Sequence, residues 1–199
     1  MKKISAKRKT FVAREDLLNR MVKIAKTQGC SLYELVNEVF QLAIDSDQLN
    51  FSLKRVVQER KTLETAKSAG FVLGIESLWY EMAETAYKKD KKNALKSWFD
   101  SGVWFAARYT TENVEAPADL FKEDLSAFTW NAPEFALEMS SSKASVRVTS
   151  PRFNEAYTFL FAAFLQGALE KFGYQSLSQE VSRGMIRLDA VRKDANDST

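Results

Sequence analysis

The sequence predicts an α+β protein in two parts: a short strand with two helices at the N-terminus, then a larger domain in which helices cover an antiparallel sheet. Three observations lead there. Residues 8–13 alternate with period two, and apolar residues recur at helical spacing from Leu17 to Ala43. After residue 70, two pairs of short β patterns, each at hairpin separation, are divided by one long helical pattern.

The first part reads element by element. In RKTFVA, residues 8–13, Arg8, Thr10 and Val12 share one face and Lys9, Phe11 and Ala13 the other. Leu17, Leu18, Met21, Ile24 and Ala25 follow at helical spacing, with Glu15 and Asp16 in the first turn and Gly29 as the stop. Ser31 caps a second helix and Glu34 at its third position completes a capping box. Leu32, Leu35, Val36, Val39, Phe40 and Ala43 form that helix's apolar face. A single strand cannot satisfy its own backbone groups, and two short helices cannot cover their apolar faces, so this part is expected to pair with a second copy.

Residues 7–45, with their basic strand, helix, GCS turn and amphipathic helix, resemble the ribbon-helix-helix family of DNA-binding domains. The resemblance implies an intertwined dimer whose two-stranded antiparallel ribbon enters the DNA major groove. It implies base contact by Arg8 and Thr10, with Val12 meeting a thymine methyl, because Arg suits guanine edges and Thr either bonds a base or touches that methyl. It also implies a phosphate clamp at Ser31 and Leu32, where the second helix begins. Lys2, Lys3 and Lys7 are the expected phosphate contacts alongside.

Charge supports the same partner. Residues 1–30 hold nine lysines and arginines against Glu15 and Asp16, 9 − 2 = +7, whereas the rest holds 20 basic and 24 acidic residues, 20 − 24 = −4. A basic head on a mildly acidic body is the footprint of binding to double-stranded DNA, where neutralised phosphates release counterions. Cys30 is the one cysteine and histidine is absent, which removes disulfides, the usual zinc and haem ligand sets and any histidine-activated nucleophile. Neither a phosphate-binding loop nor a dinucleotide fingerprint is present, so no enzyme, cofactor, metal or catalytic residue is expected. No apolar run reaches membrane length, and MKKISAKRK leads into no apolar signal core, so the expectation is a cytoplasmic protein.

The remaining boundaries follow from composition. Residues 1–48 form the DNA-binding domain, 49–70 a connecting helix carrying Leu53, Val56, Val57, Leu63 and Ala66, 71–193 the body, and the polar 194–199 a tail. Within the body the periodicity predicts helices at 76–88, 92–111, 118–126 and 153–172. Strands are predicted at 134–140, 144–149, 176–182 and 185–191, the last two joined at Arg183 and Gly184. This order, with FLQGALEKFGYQSLSQEVSRGMIRL, is similar to the ligand-binding domains of the 4-vinyl-reductase type.

Trp79, Trp98, Trp104 and Trp130 all fall in the first half of the body, and Trp98 and Phe105 are seven residues apart on one helix face. Trp79, Trp98 and Phe105 are therefore candidates to line an apolar pocket for a small-molecule effector, with Arg108 placed to pair an anionic one. The expected function is a homodimeric or tetrameric, sequence-specific transcription regulator with a C-terminal sensor or oligomerisation domain. The alternative is an antitoxin-like interaction protein whose body holds a protein partner.

Overall fold

The computed structural model of the chain describes residues 9–111 and 115–193. It divides into two units, with the boundary between Arg60 and Lys61. Among the described residues the fold is mostly helical, seven helices with one small four-stranded antiparallel sheet toward the C-terminus.

The first unit corrects the expected fold class. Residues 9–14 form no strand, and the first regular element is helix α1, Glu15–Gln28. Thr10 and Val12 are therefore not members of a ribbon. The alternation has a different physical origin: Phe11 packs its ring against Phe40, with centroids 5.4 Å apart. Arg14 is extended, at φ −64° and ψ 134°, because it is the N-cap of α1, and its guanidinium pairs with Asp16 at 2.8 Å. Residues 9–14, without a ladder partner, have no sheet to join.

Helix α1 ends at Gly29, whose φ of +71° is left-handed, and Cys30 follows. Helix α2, Leu32–Gln48, starts from a complete capping box: Ser31 Oγ accepts from the Glu34 amide at 3.1 Å, and Glu34 Oε2 accepts from the Ser31 amide at 2.8 Å. Ala25 and Leu35 are buried between these helices, yet Leu17, Ile24, Phe40, Leu42 and Ile44 stay exposed. Helix α3, Leu53–Ser68, begins at Ser52, whose Oγ accepts from the Arg55 amide at 3.2 Å.

In the second unit the helices are α4, Glu76–Lys89, α5, Lys91–Thr111, α6, Pro117–Phe128, and α7, Glu155–Lys171. The strands are β1, Glu134–Met139, β2, Lys143–Thr149, β3, Tyr174–Ser182, and β4, Met185–Arg192, in the spatial order β1-β2-β4-β3. All three pairings are antiparallel. One sheet face is buried through Val146, Val148, Ile186 and Leu188, each at 2% exposure or less. The other face is polar, with Arg147 bonded to Asp189 at 2.8 Å, which fits a sheet covered on one side and wet on the other. Helix α7 is the spine: α5 packs along it, and Leu160, Phe161 and Leu165 are buried. The β3–β4 turn requires a glycine, since Gly184 has φ +76° and a Cβ there would stand 2.6 Å from Ser150 O.

Candidate functional site: an aromatic cavity in the second unit

Helix α3 stops at Gly70, at φ +83°, where the Phe71 amide bonds back to Ala66 O at 3.0 Å. The chain then runs without regular structure through Phe71, Val72, Leu73, Gly74 and Ile75 before α4 begins. This apolar segment forms one rim of a cavity of about 640 Å³, a size ordinary for small-molecule sites. Phe71 seats the segment, its ring 4.8 Å from Phe128 and 5.6 Å from Phe105. Gly74 leaves room for Trp79, because a Cβ there would come within 2.1 Å of Trp79 Nε1 and the indole would have to shift.

All four tryptophans of the chain line this one cavity. Trp98 is half-buried and meets Tyr157 edge-on at 5.5 Å, whereas Trp104 and Trp130 are 63% and 60% exposed. Indoles standing open around a concave apolar wall are not consumed by core packing and stay available for contact.

The polar end is a connected set. Glu76, in the first turn of α4, accepts from the Tyr80 hydroxyl one turn on and, through Oε2, from Arg152 Nη1 at 3.1 Å. Asn131 Nδ2 donates to the Tyr157 hydroxyl at 3.3 Å, and its backbone carbonyl accepts from Ser150 Oγ at 3.0 Å. Asn154 caps α7, its Oδ1 taking the Tyr157 amide at 2.8 Å while its Nδ2 donates to Tyr80 O at 3.1 Å. One residue thus fixes both helices that supply phenols. Burial, and then the Glu76 carboxylate, push the Tyr80 phenol well above its ordinary value. Burial likewise raises Tyr157. Both hydroxyls therefore keep their protons at any physiological pH.

The expected pocket residues are brought together in part. Trp79, Trp98 and Phe105 line the cavity and Arg108 does not. Arg108 lies in the last turn of α5, where its Nη1 is buried without a hydrogen-bond partner among the described residues. The guanidinium at the cavity is Arg152, in the turn before α7, which helical spacing could not reveal. Glu76, Asn131 and Tyr157 were also missed, since all three act through hydrogen bonds between elements far apart in sequence.

On the first unit, Thr10 is exposed and Val12 is 99% exposed. Arg8, Lys2, Lys3 and Lys7 lie outside the described residues. At the expected phosphate clamp, the Ser31 amide and hydroxyl are both engaged by Glu34, whose carboxyl is held below its ordinary value by those bonds. Leu32 is half-buried in the first turn of α2. No described helix is long and apolar enough to cross a membrane.

No protein-family model matches the chain, and no curated protein matches it closely enough to count as a relative.

Proposed function

We infer that the chain is a DNA-binding transcription regulator that works as a homodimer in the cytoplasm, binds rather than catalyses, and carries a small-molecule sensor in its second unit. The observation that carries this reading is the separation of two chemistries along one chain. The first 30 residues concentrate nine basic side chains against two acidic ones, while the second unit holds a tryptophan-lined cavity of ligand size. The basic segment preceding α1 supplies the DNA contact, Arg8 and Thr10 to base edges and Lys2, Lys3 and Lys7 to phosphates. The exposed apolar residues of α1 and α2, Leu17 and Ile24 seven apart on α1 and Phe40 and Ile44 four apart on α2, each about half accessible, support self-association, because a unit this small leaves such faces open only where another surface covers them.

The test is equilibrium binding of the full chain to labelled duplex DNA over a range of salt. The affinity should fall as a power of salt with a slope of about −0.9 for each phosphate neutralised. Removal of residues 1–13 should abolish it. A truncated protein that binds with an unchanged slope would place the DNA contact elsewhere.

A further inference from the structure

We propose that the aromatic cavity takes a lipophilic cation, an apolar molecule carrying an amine or quaternary onium charge, and that Arg152 stands in that charge's place at Glu76. The inference rests on the reading of the cavity as a ligand site and adds the class of ligand.

Two independent features select a cation. The first is the wall. Ring faces carry the negative end of the aromatic quadrupole and attract positive charge, most strongly for tryptophan, and four indoles line this cavity. The second is the pattern of formal charge. Among the described residues that line the cavity, Glu76 and Arg152 alone are ionised, and they are held very differently. Glu76 is fixed by the first turn of α4 and by the Tyr80 hydroxyl, and its side chain is 35% exposed. Arg152 is 56% exposed and meets Glu76 through one contact at 3.1 Å. A pair so exposed contributes little, and a released guanidinium regains water readily. The carboxylate is therefore the permanent charge and the guanidinium the displaceable one. An anionic ligand would have to take Arg152 from Glu76 among four electron-rich indoles, so both features oppose an anion.

The experiment uses three molecules of similar size on the full chain: tetraphenylphosphonium, tetraphenylborate and neutral triphenylphosphine oxide, with tryptophan fluorescence as the readout. Tetraphenylphosphonium should bind at least about tenfold more tightly than the borate. Glu76→Gln should weaken the cation by about tenfold and leave the phosphine oxide unchanged, since only a charged partner is lost. Arg152→Ala should strengthen the cation by removing its competitor, and because Arg152 is exposed this variant remains informative if Glu76→Gln does not fold. Equal or tighter binding of the borate would overturn the cation assignment while leaving the cavity a ligand site. Quenching by none of the three would overturn the ligand site itself.

Discussion

Gly102 of α5 and Gly167 of α7 each lie against the other helix's backbone: a Cβ at Gly102 would stand 1.9 Å from Phe164 O, and one at Gly167 would stand 2.0 Å from Phe99 O. The two helices cross closely only because neither position carries a side chain. Trp98 and Phe105 on α5 and Tyr157 and Phe164 on α7 all line the cavity, so the crossing sets the width of that wall. Gly102→Ala and Gly167→Ala should each destabilise the protein by about 3 kcal/mol or more, because backbone must move and the better helix propensity of alanine returns at most about 1 kcal/mol. Thermal melts followed by tryptophan fluorescence check this, and an unchanged midpoint would mean that the helices do not meet here.

Exposed and half-buried tryptophans of the same cavity should respond differently. Trp104→Ala removes a ring that is 63% exposed and should change stability by no more than about 1 kcal/mol, while weakening any aromatic or cationic ligand. Trp98→Ala removes a ring packed on Tyr157 and should cost about 3 kcal/mol. Denaturant titrations of both variants beside ligand titrations separate the two roles.

The cavity was legible in the sequence where it depends on a helix period and hidden where it does not. Trp98 and Phe105, seven residues apart, share a face of α5 as the spacing implies. Arg108 shares that face too, but three residues further on it has passed the end of the cavity into the last turn of the helix. Phe71, Asn131 and Arg152 stand in connecting segments, whose placement follows from tertiary packing and leaves no periodic trace. The strand expected at residues 8–13 failed for a related reason: a period of two shows which side chains share a face, and Phe11 on Phe40 satisfies it without any ladder. The capping box at Ser31 and Glu34 was readable because capping is local chemistry at fixed spacing.

That capping box makes its own prediction. Ser31→Ala should destabilise the first unit by about 1 kcal/mol. Glu34→Gln should tighten DNA binding at low salt if the start of α2 meets a phosphate, because it removes a negative charge held at the helix N-terminus. Parallel melts and duplex titrations give both answers, and weaker DNA binding by the glutamine variant would remove α2 from the interface.

Alkaline stability should report the buried phenols. Tyr80, Tyr109 and Tyr157 all have pKa values raised in the folded state, burial being the first cause for each. The folded chain therefore holds these protons more tightly than the unfolded chain. The stability this confers is complete below the unfolded phenol value of about 10 and declines as pH rises past it. Tyr80→Phe should make the fall between about pH 9.5 and 11 shallower than in the unsubstituted protein, as read from denaturation midpoints at successive pH values. An identical fall in both would show that Tyr80 keeps an ordinary phenol.

If the second unit is the sensor of a DNA-binding protein, occupation of the tryptophan cavity changes the affinity for DNA. The most direct measurement is the affinity of the full chain for a labelled duplex, by fluorescence anisotropy at fixed salt, with and without saturating tetraphenylphosphonium. Tryptophan quenching in the same samples confirms that the cation is bound. A change of about 5-fold or more is expected, and linkage requires saturating DNA to change the cation's affinity by the same factor. Identical DNA affinity in samples whose tryptophans report a bound cation would contradict it.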